Sequence, residues 1–174
     1  MKILSVYPWT HISSSALMIN GKLVAASPEE RFTREKWTTK FPINSANWCL
    51  KKGNIKWKDL DKIVVPWNPA ININSASSRW DNNISWRGEM LSNIPSNIMK
   101  ALNSKPAESI EVNFNKTKIV YLSHHDCHAA SAIFVSNFSK CDYLTIDGHG
   151  EKETCKFGYF DGHKIINTHS ILYP

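Results

Sequence analysis

The sequence predicts a mixed α/β fold organised as two lobes of related plan. Two observations carry this expectation. Short apolar or β-branched runs alternate with stretches of helical spacing along the 174 residues, the pattern of strands and helices that share a core. A strand–loop–hairpin pattern also occurs twice, from Leu4 to Gly21 and again from Leu144 to Gly162, as a weak internal repeat.

Taken in order, Lys2 to Tyr7, Ala16 to Asn20 and Lys22 to Ala26 read as strands, with Asn20-Gly21 as the hairpin turn between the last two. Ile43, Ala46, Asn47 and Leu50 recur at helical intervals, so Ile43 to Lys52 is a helix. Pro42 suits its first turn and Gly53 closes it. Ile63 to Trp67 is a short β-branched strand, and the Asn- and Ser-rich segment from Asn68 to Asn83 is a long loop or insertion. Trp86, Met90, Leu91, Ile94, Ile98 and Leu102 follow helical spacing broken at Pro95, which predicts two short helices or one kinked one. Lys118 to Leu122 is a strand that leads into a histidine-bearing helix. The second copy of the repeat then places strands at Asp142 to Ile146, Cys155 to Phe160 and Lys164 to Thr168, with Asp161-Gly162 as a turn. Three strands without covering helices would leave an apolar face exposed. The ending Ile171-Leu172-Tyr173-Pro174 reads as a cut, so the expectation is an N-terminal piece of a longer polypeptide.

Composition narrows the classes of function. At 42% hydrophobic content the chain can bury a core, and it carries neither a 20-residue apolar span nor a secretory signal, so a cytoplasmic protein without a membrane segment is expected. The four cysteines lack CxxC spacing and should be reduced thiols. A net charge of +6 and a pI near 9.1 would permit nucleic-acid binding. However, the basic residues are scattered in ones and twos among acids, which argues against nucleic acid, and an anionic small-molecule substrate would explain the mild positive bias equally well.

The run from His124 to Glu151 carries the most chemistry. His124 and His128 stand four residues apart on one helical face, the spacing that lets two ring nitrogens share a metal. Asp147 follows the apolar run Tyr143-Leu144-Thr145-Ile146, where it can project from the C-terminal end of a strand. A mixed nitrogen and oxygen set suits Fe²⁺, Zn²⁺ or Mn²⁺ better than Ca²⁺ or Mg²⁺. The competing explanation is a capped helix bearing a surface histidine pair. Cys127 lies between His125 and His128 and fits packing better than ligation.

Two further segments stand out. The loop Trp9-Thr10-His11-Ile12-Ser13-Ser14-Ser15 follows the first strand as Asp147-Gly148-His149-Gly150 follows the later one. His11 is therefore a candidate general base toward a hydroxyl, against the alternative of a loop histidine that caps backbone groups. Glu29-Glu30-Arg31-Phe32-Thr33-Arg34-Glu35-Lys36 mixes charge signs densely enough for a solvated surface turn, although Arg31 and Lys36 at a cleft edge would also serve phosphate or carbamate oxygens.

With these motifs laid out, the chain resembles the N-terminal part of the O-carbamoyltransferases of the nodulation-protein and aminoglycoside or cephamycin type. The stretches that carry the resemblance are His11-x-Ser13-Ser14-x-Ala16-Leu17, Glu29-Glu30-Arg31-Phe32-Thr33-Arg34-x-Lys36, His124-His125-x-x-His128-Ala129-Ala130-Ser131-Ala132 and Thr145-Ile146-Asp147-Gly148-x-Gly150-Glu151. The resemblance implies an actin-like, sugar-kinase-like fold with ribonuclease-H-like lobes, similar to the threonylcarbamoyl-transfer proteins. Residues 1–140 would form the first lobe and residues 141–174 the start of the second. It further implies transfer of a carbamoyl group to a hydroxyl of a small-molecule acceptor. The donor is carbamoyl-adenylate, made from ATP and carbamoyl phosphate by an adenylate-forming domain absent from this chain. By the same resemblance His124, His128 and Asp147 are metal ligands, with Fe²⁺ first and Zn²⁺ or Mn²⁺ as alternatives. His11 handles the acceptor proton and Lys36 meets the carbamoyl or adenylate group, while Ser13, Arg31 and Gly148 contact substrate. Trp37 stands where a histidine is common, and such a piece would be inactive alone. Competing expectations are a threonylcarbamoyl-transfer-like protein, a metal-dependent hydrolase, or a non-catalytic binding module.

Overall fold

The structure is a computed structural model that describes residues 1–8, 12–68, 118–148 and 150–172. The long loop expected beyond Asn68, the helices expected around Trp86 to Leu102 and the candidate base His11 lie outside the described residues. The described residues fall into two compact units, residues 1–65 with 118–120 and residues 66–68 with 121–172.

The first unit begins with three antiparallel strands, β1 (Lys2–Tyr7), β2 (Ser14–Ile19) and β3 (Lys22–Pro28). Asn20 and Gly21 both hold positive φ, 50° and 79°, the twisted turn for which Asn-Gly is suited. The chain continues through a one-turn helix, α1 (Glu30–Thr33), and a longer helix, α2 (Ile43–Lys52). A 3₁₀ turn over Trp57–Asp59 follows, and then β4 (Lys62–Val65) returns parallel to β1. With β5 (Lys118–Tyr121) at its edge, the sheet runs β3-β2-β1-β4-β5. Leu4 and Val6 on β1, Leu17 on β2, and Ile63 and Val65 on β4 are fully buried. The period-2 alternation of these strands turns one face inward. Helix α2 presents Ser45, Ala46, Cys49 and Leu50 to β2 and β3.

The charged stretch after β3 departs from the solvated turn expected of it. Glu29 is 1% exposed and lies at the start of α2, where its Oε2 accepts the Ser45 N–H at 2.7 Å. Its Oε1 accepts the Asn44 N–H at 3.2 Å and the Asn44 Nδ2 at 2.7 Å. Pro42 is the N-cap of α2, not a first-turn residue, and offers no side-chain bond. The carboxylate supplies the missing acceptor and also meets the positive end of the helix dipole.

The second unit is a meander of β6 (Cys141–Ile146), β7 (Glu153–Phe160) and β8 (Ile165–Leu172), with the helix α3 (His124–Ile133) laid on it. Ala129 and Ile133 of α3 pack with Phe160, Cys141, Tyr143 and Ile165. The expectation of no covering helix is therefore corrected for this face, because the histidine helix folds back over it. On the other side Leu144 and Ile146 are 61% and 76% exposed, together with Tyr159 and Ile171, so the exposed apolar face was rightly expected. Among the described residues no helix is long and apolar enough to cross a membrane, and all four cysteines are free thiols.

Candidate metal centre

Helix α3 and the turn after β6 bring three donor atoms together. The helix starts at Ser123, whose side chain makes no capping bond. Its place is taken by Glu151, a 5% exposed carboxylate that accepts the His124 N–H at 2.9 and 3.2 Å and the Asn68 N–H at 2.7 Å. From this first turn His124 and His128 project one helical turn apart, ring centroids 4.4 Å from each other. Trp67 packs against the His124 ring at 4.9 Å and restricts its rotation. Asp147 leaves the end of β6 and is fixed by its own N–H to the Thr154 carbonyl at 2.9 Å.

Asp147 Oδ2 lies 2.7 Å from His124 Nε2 and 3.1 Å from His128 Nε2, and the two nitrogens are 3.0 Å apart. Three ligand atoms at about 3 Å spacing are what bonds of roughly 2.1 Å to one ion produce when they meet near right angles. The donor chemistry agrees. If each Nε2 carried a proton for Asp147, two N–H groups would face each other across 3.0 Å. One shared proton would hold the three atoms together by hydrogen bonds, and with none three lone-pair donors converge on a point that a cation would satisfy. The residues therefore fit a divalent metal, with His124 mostly buried and His128 half exposed.

Electrostatics at Asp147 favours the ionised form. Burial opposes ionisation, but the hydrogen bond from His124, the Gly148 N–H at 2.6 Å and the bond from His128 outweigh it and hold the carboxyl below the usual carboxylate range. Cys127 is not among the clustered donors, and burial, with Glu151 and Asp126 adding repulsion, pushes its thiol up to about 11. A thiol held neutral in this way is a packing group, as the sequence suggested.

The other candidate residues distribute as follows. Gly148 is exposed beside Asp147, and a Cβ there would meet nothing within 4 Å, so the space over the turn is open. In the first unit, Ser13 is fully buried between backbone bonds to Thr38 and Glu29, and its Oγ has no hydrogen-bond partner among the described residues. Arg31 on α1 and Lys36 in the following loop are exposed. Sequence reasoning missed Glu151, Trp67 and the role of His125. Glu151 ends the stretch Asp147-Gly148-x-Gly150-Glu151, but a buried acid gives no periodic signal. Trp67 was placed in a strand that ends at Val65, because Pro66 follows and lacks an N–H for the ladder.

Mixed α/β architecture with these sheets is of the actin-like class. The YeaZ structure from Pseudomonas aeruginosa superposes with a TM-score of 0.52 at 11% identity, covering 100% of this chain and 68% of that one. The chain belongs to the carbamoyltransferase N-terminus family, which it matches over residues 2–174. It is 30% identical over 188 residues to the uncharacterized protein sll1178 of Synechocystis, covering 99% of this chain and 29% of that protein. Nodulation protein NolNO of Sinorhizobium fredii is 28% identical over 141 residues, covering 81% of this chain and 20% of the nodulation protein. The chain thus spans under a third of the length of these relatives.

Proposed function

We propose that this chain is the N-terminal part of an O-carbamoyltransferase that passes a carbamoyl group from carbamoyl-adenylate to a hydroxyl of a small-molecule acceptor. The observation that carries the reading is the convergence of His124 Nε2, His128 Nε2 and Asp147 Oδ2 in a chain matched end to end by a carbamoyltransferase family. In this reading residues 1–140 belong to the first lobe and residues 141–174 open the second. The carbamoyl-adenylate is made from ATP and carbamoyl phosphate by an adenylate-forming region outside these residues.

His124, His128 and Asp147 hold the divalent cation, Fe²⁺ in first place and Zn²⁺ or Mn²⁺ as alternatives. When bound, the cation supplies Lewis acidity toward a carbamoyl oxygen. His11 takes the proton from the acceptor hydroxyl, and Lys36 meets the carbamoyl or adenylate group with its ammonium. Ser13, Arg31 and Gly148 contact the substrate, and Ser13 Oγ is a buried hydroxyl without a hydrogen-bond partner among the described residues. The test is the carbamate ester formed by the full-length protein from ATP, carbamoyl phosphate and a panel of hydroxylated acceptors. Product that depends on ATP and vanishes in His128→Ala supports the reading. Phosphate release from carbamoyl phosphate without ATP, equally lost in His128→Ala, would replace it with a metal-dependent hydrolase.

A further inference from the structure

The geometry points to His125 as a positioning residue that sets the spacing of the metal donors without being one of them. The inference rests on the reading of His124, His128 and Asp147 as a cation site. His125 is fully buried, unlike its neighbours, and both of its ring nitrogens are engaged. Nε2 lies 2.9 Å from the Glu153 carbonyl oxygen and Nδ1 lies 2.8 Å from Thr145 Oγ1. A carbonyl only accepts, so Nε2 donates to Glu153 O, while the single Thr145 hydroxyl proton has two acceptors in reach, His125 Nδ1 at 2.8 Å and the Lys156 carbonyl at 3.1 Å. These two contacts fall on either side of Asp147, one on β6 two residues before it and one at the start of β7.

The loop between those contacts is closed by two backbone bonds, Asp147 N–H to Thr154 O at 2.9 Å and Gly150 N–H to Glu153 O at 2.7 Å. The Glu153 carbonyl thus accepts from both the loop and the helix. His125 thereby locks the first turn of α3, which bears His124 and His128, to the turn that bears Asp147. Gly150 passes directly over the imidazole. A Cβ built there would lie 2.6 Å from His125 Cδ2 and 3.1 Å from Nε2, so only glycine lets the ring keep both bonds. The imidazole is buried and bonded at both ends, so it has no room to yield.

The test uses purified full chain titrated with Co²⁺ and followed by visible d–d absorption, with far-UV circular dichroism as the folding control. The variants are His125→Leu, His125→Gln, Thr145→Val and Gly150→Ala. Loss of groups that orient metal ligands costs roughly 10–100-fold in metal affinity. His125→Leu and Gly150→Ala should weaken Co²⁺ binding by that factor and shift the absorption bands, and Thr145→Val, which keeps the imidazole and the volume, should do so more mildly. His125→Gln, which keeps a donor for the Glu153 carbonyl, should recover part of the affinity. In metal-free protein, hydrogen exchange at the Asp147 and Gly150 amides should speed up in His125→Leu. A folded His125→Leu that binds Co²⁺ with the wild-type affinity and bands overturns the inference alone. A wild type that never binds Co²⁺ overturns the cation reading and the inference with it.

Discussion

Asp147 carries a charge that its neighbours hold in place, and this has a consequence for acid stability. Because hydrogen bonds from His124, Gly148 and His128 keep its carboxyl below the usual range, its contribution is complete above the unfolded pKa of about 3.9. It is lost as the pH falls through the lower folded value. In metal-free protein, urea unfolding of the wild type and Asp147→Asn should therefore differ at pH about 6 and converge as pH drops below about 4. A gap that stays constant would contradict this. Glu29 acts through its shape as an acceptor, since it satisfies three donors at the start of α2. Glu29→Ala should cost about 2–3 kcal/mol in chemical unfolding at unchanged slope, and Glu29→Gln, which retains one oxygen, roughly half as much. A loss under about 0.5 kcal/mol for Glu29→Ala would mean that water replaces the carboxylate.

At the scale of elements, the two meanders share an irregularity that the sequence announces only in part. In each, the pairing of the middle strand with the strand after it slips register, between Leu17 and Met18 against β3 and between Phe157 and Gly158 against β8, where Val24 and Thr168 are the extra residues. At Gly158 a Cβ would collide with the Ile166 carbonyl oxygen, so β8 must move before any side chain can be seated. Gly158→Ala should cost about 2–3 kcal/mol and speed hydrogen exchange along β8, leaving the amides of β1 and β4 unchanged. Equal protection of β8 in the variant would contradict the contact. Strand positions were legible because alternation and the Asn20-Gly21 turn are local signals. The one-turn helix α1 was not, since four residues carry no period. Nor was the folding of α3 over β6–β8, which depends on tertiary packing of Ala129 and Ile133 against Phe160.

For the whole molecule, the repeat read from spacing reappears as two three-stranded antiparallel meanders, and in each unit a buried glutamate meets the start of a helix. The donor residues of the candidate centre were legible because i, i+4 histidines and a carboxylate at a strand end are fixed by backbone geometry. Their support was not legible, because Glu151, Trp67 and His125 act through burial and long-range bonds. Every role assigned to the candidate centre depends on whether the triad holds a metal. The decisive measurement is elemental analysis of the purified chain, wild type against a His124→Ala, His128→Ala double variant, after anaerobic incubation with Fe²⁺ and removal of unbound ion. Close to one metal per chain is expected in the wild type and none above background in the variant. Equal metal content in the two proteins, or none in either, would contradict a metal site at His124, His128 and Asp147.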